Sequence, residues 1–150
     1  MTKKTGFTLI ELLVVISVIG VLALIIVPNL LGARERARDA QRKANLDQLR
    51  KGLRLYYNDH QSYPIDAEDA PSPGNPFVDG ANVYMQEVPF TGTNDNFHYY
   101  GTADGEYYVA TVALENTSDS DIQTSQSRCS LSIDETGASL TSVDFVICNE

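Results

Sequence analysis

Residues 6–33 read GFTLIELLVVISVIGVLALIIVPNLLGA and govern the architecture of the whole chain. After Glu11 this run has no charged side chain until Arg34. At about 1.5 Å per helical residue, it is long enough to cross a hydrocarbon core of roughly 30 Å. We therefore predict a transmembrane helix over residues 7–31, continued by an amphipathic helix over residues 32–58.

Two other interpretations of the apolar run fit less well. A cleaved secretory signal has an apolar region of about 7 to 15 residues and ends at small residues, whereas this run is longer and leads into a charged helical pattern. A plain uncleaved anchor leaves Glu11 unexplained, because an unpaired ionised carboxylate at membrane depth costs about 2 kcal/mol or more. Glu11 therefore predicts a cationic partner.

The residues before Glu11 resemble the processing signal of type IV pilins and of the related pseudopilins of type II secretion and DNA-uptake systems. The pattern is a short leader with two lysines, then Gly6, the aromatic Phe7 and, five positions after the glycine, the glutamate. The resemblance implies that residues 1–6 form a leader, which a prepilin peptidase removes by cleavage between Gly6 and Phe7. It also implies N-methylation of the new terminal Phe7.

The same resemblance implies a structural subunit that polymerises through its N-terminal helix into a helical homopolymer. Glu11 would pair there with the Phe7 amine of a neighbouring subunit. Gly20 and Pro28 stand where helices of this family loosen in a filament, and in a helix Gly costs about 1 kcal/mol and an interior Pro about 3. The implied partners are the prepilin peptidase, an assembly platform with its ATPase, and the membrane before assembly.

By this resemblance the chain is a single-pass inner-membrane protein whose head lies outside the cytoplasm, and later part of a cell-surface or periplasmic filament. The charges beside the apolar run point the other way, since residues 34–54 carry eight bases and three acids. The positive-inside rule alone would place the C-terminal part in the cytoplasm. We give the processing motif more weight, because it is the more specific signal, and expect the basic helix to have another partner.

Apolar positions recur mostly at steps of three or four beyond Pro28, which predicts one helix to about Asn58. The predicted stripe is Leu30, Ala33, Ala37, Ala40, Ala44, Leu49, Leu53 and Tyr56. Its small first members predict close contact between helices, and its larger last members predict packing against a sheet.

Three arginines of this helix, Arg34, Arg38 and Arg42, lie four positions apart with Glu35 and Asp39 beside them. One interpretation is a solvated, salt-bridged face. In a filament the same face would meet the acidic heads of other subunits, where complementary charge guides register.

The two parts of the chain differ sharply in charge. Residues 1–54 hold ten of the 11 Lys and Arg, whereas residues 55–150 hold one base and sixteen acids, a net charge of −15. A surface of that sign repels phosphate, so we expect no direct nucleic-acid binding by the head. A length of 150 residues also excludes a large multidomain enzyme.

Residues 59–150 predict an acidic, loop-rich head with a small antiparallel sheet, so the fold class is α+β with the long helix packed against the sheet. Prolines and glycines break residues 59–96. Strands are predicted over residues 97–100, 107–114, 129–133 and 140–148. Gly105 and Gly137 mark turns, which favours a meander of three or four strands with one exposed face.

Only one pairing is available to the two cysteines, Cys129 and Cys148. In the cytoplasm they would be reduced, buried thiols. Outside the membrane we expect a disulfide that holds the last strand, with a stabilisation of roughly 3 kcal/mol from loop closure.

Signals for catalysis or metal binding are weak. His60 and His98 lack metal-ligand spacing, and the serines of residues 118–127 lack a nucleophile elbow and read as an exposed loop. We predict no enzyme activity and no cofactor. Oxygen ligands suited to Ca²⁺ cluster in the head, where some pseudopilins bind calcium, at Glu115, Asn116, Asp119 and Asp121. They lack the order of an EF-hand, so a solvated loop is the preferred interpretation.

Three functions thus stay open. The leading one is a type IV pilus-like structural subunit, and the nearest alternative is a major pseudopilin of a type II secretion or DNA-uptake pseudopilus. An alternative of another class is a membrane-anchored extracytoplasmic binding module.

Overall fold

A computed structural model describes residues 6–65, 69–90 and 95–149, without the side chains of residues 27–29. Apart from Gly6, the predicted leader lies outside the described residues. The chain divides into two compact units, Met1–Arg36 and Ala37–Glu150. We call them the N-terminal unit and the C-terminal unit.

A long helix, α1, runs Leu9–His60 and belongs to both units. It ends beyond the predicted Asn58, at a residue followed by Gln61 in the left-handed conformation (φ 56°). The Gln61 N–H donates to the carbonyl of Tyr57 at 2.7 Å, which closes the last turn of the helix.

Two antiparallel sheets form in the C-terminal unit. The smaller pairs β1 (Phe77–Asp79) with β2 (Asn82–Met85). The larger has the order β3-β4-β5, with bounds His98–Gly101, Tyr108–Ala113 and Asp144–Cys148. The β1-β2 hairpin lies in the segment that the prolines and glycines marked as loop, and the sequence analysis missed it.

The central strand β4 is buried on both sides, which overturns the expectation of an exposed face. On one side Tyr108, Ala110 and Val112 pack into the core that contains the end of α1. On the other side Val109 packs with both cysteines of the chain. The strand reads YVATVA, a nearly continuous apolar run of the kind that a strand covered on both faces requires.

Two short helices cover that second side: α2 (Ser120–Arg128) and α3 (Ser130–Thr136). The predicted strand over residues 129–133 is therefore wrong, and so is the predicted loop over residues 120–127, which are helical. Ser118, Ser120 and Ser127 are exposed as predicted. Leu131 is 58% exposed, so the alternating apolar residues do not share one buried face as a strand would require. Gly137, at φ 64°, caps α3 in the left-handed conformation and does not join two strands.

The buried face of α1 in the C-terminal unit also differs from the predicted stripe. Leu46, Leu49, Leu53 and Tyr56 are buried, as the larger members of the stripe predicted apart from the register change at Leu46. Ala37, Ala40 and Ala44 are exposed, as is Ala33 in the N-terminal unit, so their predicted contact with other helices stays a prediction. The inward position in this part of the helix is taken by Asp39, which is 2% exposed. A count of apolar residues cannot find this face, because its central residue is charged.

A close backbone contact fixes the chain after α1 against the turn between β3 and β4. The Tyr63 N–H donates to the Gly105 carbonyl at 2.8 Å, and Gly105 has φ 69°. A Cβ at Gly105 would lie 2.7 Å from the Cβ of Ser62. The predicted turn at Gly105 is therefore confirmed, and only glycine fits both its backbone angle and its space.

Candidate assembly site

The start of α1 is a reciprocal cap between Thr8 and Glu11. The Glu11 carboxylate accepts hydrogen bonds from the Thr8 backbone N–H at 2.9 Å and from the Thr8 hydroxyl at 2.7 Å. The Glu11 N–H donates in return to the Thr8 hydroxyl at 3.3 Å. This is a capping box, and its sequence signature, Thr-x-x-Glu, is a signal from which it can be predicted. Glu11 therefore has a local partner within its own chain.

Gly6 and Phe7 precede this cap in irregular, exposed backbone. Phe7 is 89% exposed, and a Cβ added at Gly6 would meet no atom of the described residues within 4 Å. The predicted cleavage site thus lies just before the first helical turn, where the chain is accessible.

Apolar side chains of the N-terminal unit are exposed on every side of α1. Around the helix they include Leu9, Ile10, Leu12, Leu13, Val14, Val15, Ile16, Val18, Ile19, Val21, Leu22, Leu24, Ile25, Ile26, Leu30 and Leu31. The helix is long and apolar enough to cross a membrane, and none of its most apolar window is buried inside the protein. A helix that is apolar all round needs an apolar environment, either lipid or other helices. The backbone stays helical through Gly20 and Pro28.

In the C-terminal unit, by contrast, charged residues of α1 find partners in the head. Both oxygens of buried Asp39 accept backbone N–H groups, from Glu115 at 2.9 Å and from Asn116 at 2.8 Å. Arg42 lies beside Asp39 at 3.2 Å and contacts Asp95 at 3.2 Å. The buried carboxylate is therefore compensated, as a buried charge must be.

Glu115 receives two guanidinium groups from α1. Arg38 binds both of its oxygens, with Nε at 2.8 Å, and Arg42 lies at 3.1 Å. The hydrogen bond from Arg38 holds the pKa of the Glu115 carboxyl below its usual value, against the effect of burial. The basic face of α1 was predicted to meet the acidic heads of other subunits in a filament. At Arg38 and Arg42 it contacts an acid of its own chain.

Lys43 completes this set of contacts. Its Nζ lies 2.7 Å from Oδ2 of Asp119 and 2.7 Å from Oδ2 of Asp121. The other oxygen of Asp119 accepts the Asp121 N–H at 2.9 Å and so caps the start of α2. The ring of Phe145 on β5 lies 5.3 Å from the ammonium. We call the contacts of Arg38, Asp39, Arg42 and Lys43 with residues 115–121 the helix–head clasp.

The two cysteines are joined by a disulfide bond, with their Cα atoms 5.7 Å apart. It ties the junction of α2 and α3 to the end of β5. Asn149 adds to this attachment, because its side-chain oxygen accepts the Tyr108 N–H at 3.3 Å and the Ser132 hydroxyl at 3.1 Å. The last strand is thereby held at its C-terminal end.

The remaining predicted site residues do not assemble into a reactive centre. His60 stacks on Tyr56 and pairs with Asp79 at 3.0 Å, whereas His98 lies exposed on β3 near Tyr100. In the part of the chain that the structure describes, no group of three or more His, Cys, Asp or Glu side chains is arranged to hold a metal ion.

Comparisons with known proteins match both parts of the chain. A family model described as the prokaryotic N-terminal methylation motif matches residues 1–27. The type II secretion system core protein G of Vibrio cholerae is 31% identical over 113 residues, covering 69% of this chain and 75% of that protein. This match is longer than α1 and therefore includes head residues.

Two pilus proteins match a shorter part. The type IV wide pilus major component PilA4 of Thermus thermophilus is 48% identical over 63 residues, covering 42% of this chain and 48% of that protein. The type IV major pilin protein PilA of Myxococcus xanthus is 34% identical over 76 residues, covering 49% of this chain and 34% of that protein. The chain thus spans less than half the length of either. No solved structure matches it.

Proposed function

Because this chain belongs to the type IV pilin-like family of pilins and type II secretion pseudopilins, we propose that it is a non-catalytic subunit of a pilus-like filament. Before assembly, the N-terminal half of α1 anchors it in the inner membrane, with the head outside the cytoplasm. After assembly, the same helix packs against copies of itself.

The observation that carries this proposal is a contrast between two parts of the chain. The apolar side chains of the first half of α1 are exposed, whereas the charged side chains of the helix–head clasp are paired within the chain. The side chains of the N-terminal unit from Leu9 to Ile26 are exposed, and 60% or more of Leu12, Ile16 and Val21 is accessible. Removing such surface from water is favourable by a free energy of about 25 cal/mol per Å² of apolar area. Lipid removes it for a single subunit, and helix packing removes it in a filament.

Processing follows from the exposed junction at Gly6 and Phe7. A prepilin peptidase would cleave between them and leave an amine on Phe7, which is then methylated. Cleavage removes residues 1–6 but leaves Phe7, Thr8 and Glu11 in place, so the helix start is preserved. The Glu11 carboxylate then has two binding partners, Thr8 in the local cap and the Phe7 amine of a neighbouring subunit.

The disulfide supports an extracytoplasmic head, because such bonds persist in oxidising compartments. A pseudopilus is the second candidate, since the longest of the matches given above, which includes head residues, is to a type II secretion core protein. The two candidates differ in the length and fate of the fibre, and not in the chemistry of the subunit.

Processing and assembly are tested by the intact mass of the chain in sheared surface fibres and in membranes, from cells that carry the matching assembly system. We expect fibres whose subunit starts at N-methylated Phe7. Gly6→Val should leave an uncut precursor in the membrane and no fibre. Gly80→Asn serves as a processing control, because Gly80 lies at an exposed turn of the head with φ 55°, an angle that Asn tolerates. Native material that retains Met1 to Gly6, or normal cleavage of Gly6→Val, would contradict the proposal.

A further inference from the structure

In the acidic segment over residues 115–121, two carboxylate oxygens from different residues converge on one point. That point holds an ammonium group, with Lys43 Nζ at 2.7 Å from one oxygen of Asp119 and 2.7 Å from one oxygen of Asp121. Lys43 comes from α1, more than 70 positions earlier in the chain, so the contact is a product of the fold.

A calcium ion does not fit this arrangement. Ca²⁺ takes about 6 to 8 oxygen ligands at roughly 2.3–2.6 Å, so an ion bound to these two aspartates would lie against the ammonium. The carboxylate of Glu115 is already bound by Arg38 and Arg42, and the side-chain oxygen of Asn116 accepts the Ser118 N–H at 3.3 Å. Each of the four residues named as calcium ligands from the sequence thus has a partner within the chain.

The Lys43 ammonium is also held as a cation. Burial by itself lowers the pKa of the Lys43 amine, but its hydrogen bonds to Asp119 and Asp121 outweigh this, so the net change is upward. The hydrogen bond from Lys43 lowers the pKa of Asp119. About one fifth of the Lys43 and Asp119 side chains is exposed, so the pair is partly shielded from water.

We infer that Lys43 is the built-in counter-ion of the acidic segment, which lets the head close around α1 without a divalent cation and keeps one out of this position. The inference concerns the stability of the head and does not depend on polymerisation. Its physical basis is that two carboxylates converging on one point repel each other unless a cation lies between them.

The experiment is thermal unfolding of the full chain in detergent micelles, followed by near-ultraviolet circular dichroism of tyrosine. All eight tyrosines lie at position 56 or later and there is no tryptophan, so the signal reports the C-terminal unit alone. The variants are Lys43→Met, Lys43→Arg and, as a matched control, Lys51→Met, since Lys51 is exposed on the same helix. Each is measured with millimolar CaCl₂ and with EGTA.

For the unmodified protein and for Lys51→Met we expect the same midpoint with and without calcium. Lys43→Met should lower the midpoint by about 3–8 °C in EGTA, and calcium should restore part of that loss. Lys43→Arg should keep most of the stability and stay insensitive to calcium, and it provides the test if Lys43→Met fails to fold.

Three outcomes would overturn the inference. They are a calcium-dependent midpoint in the unmodified protein, a Lys43→Met midpoint equal to that of the unmodified protein in EGTA, or a destabilised Lys43→Met that calcium does not stabilise more than it stabilises Lys51→Met.

Discussion

The N-terminal and C-terminal units differ in which side chains of α1 are buried and in where its charged side chains have their partners. In the first, large apolar residues such as Leu9 and Ile25 face outward, and the carboxylate of Glu11 is satisfied by Thr8 within one helical turn. In the second, three of the four leucines of the same helix are fully buried, and its arginines contact acids more than 50 positions away in the chain. The comparison shows that one helix has two roles. Its second half stabilises the head by packing within the chain, and its first half exposes apolar side chains that need lipid or other helices.

The largest expected effect comes from a matched pair of substitutions in α1. Leu49→Ala removes a fully buried side chain and should lower the free energy of unfolding of the C-terminal unit by about 2–5 kcal/mol. Leu22→Ala, at an exposed position, should leave it unchanged. Tyrosine circular dichroism of the full chain in detergent measures both. Equal destabilisation by the two substitutions would show that the apolar half of α1 has partners within the chain.

The disulfide should have the next largest effect. Replacing Cys129 and Cys148 together by alanine should destabilise the C-terminal unit by about 3 kcal/mol, because the unfolded chain regains the freedom of the closed loop. Hydrogen exchange should rise first in β5, and amides of the first half of α1 should not change. Two free thiols in protein taken from the native envelope, or unchanged exchange in β5 after reduction, would refute this role.

We expect a smaller effect of pH on the stability of the C-terminal unit, because the helix–head clasp contains carboxyls with lowered pKa. Hydrogen bonds from Arg38 and Lys43 lower the pKa of Glu115 and Asp119 from their ordinary values of 4.5 and 3.8. A carboxyl with a lower pKa in the folded state stabilises the fold above its ordinary pKa, and this contribution is lost as the pH falls through the lowered value.

Stability of the C-terminal unit should therefore stay level down to about pH 5 and fall by about 1 kcal/mol or more towards pH 3. Urea midpoints across this range measure it. The fall should be smaller in Arg38→Met and in Lys43→Met, since each removes the donor that lowers a carboxyl pKa. The same slope in these variants and in Lys51→Met would assign the pH dependence to other groups.

The sequence was sufficient where a pattern reports local physics. The uninterrupted apolar run predicted α1, Leu49, Leu53 and Tyr56 predicted its packing against the head, and the β4 residues and the turn at Gly105 were placed correctly. The first half of α1 was predicted without tertiary information, and its side chains from Leu9 to Ile26 are exposed in the part of the chain that the structure describes.

The failures lie where distant residues decide the structure. The buried position of Asp39 depends on backbone N–H groups from residues 115 and 116, and the engagement of Lys43 depends on a cap at the start of α2. Residues 129–133 alternate in polarity like a strand, yet Cys129 is a helix cap and residues 130–133 are helical, with Cys129 and Ile133 packed near Val109 of β4. The capping box at Thr8 is a local pattern, Thr-x-x-Glu, that the sequence contains, and it gives Glu11 a role beside the predicted intermolecular one.

The most direct test of the central claim, that this chain polymerises through the first half of α1, separates the two roles of Glu11. Glu11→Gln keeps a hydrogen-bond acceptor for the Thr8 cap but loses the charge, whereas Glu11→Ala loses both. The measurement is the yield of sheared fibre relative to the membrane pool of processed subunit. Membrane insertion and cleavage should persist in both variants, and fibre yield should fall at least about tenfold in both, because an amine left unpaired in an apolar interface costs about 3–5 kcal/mol. Normal fibre yield from Glu11→Gln would contradict the claim, since it would leave Glu11 as a helix cap and nothing more.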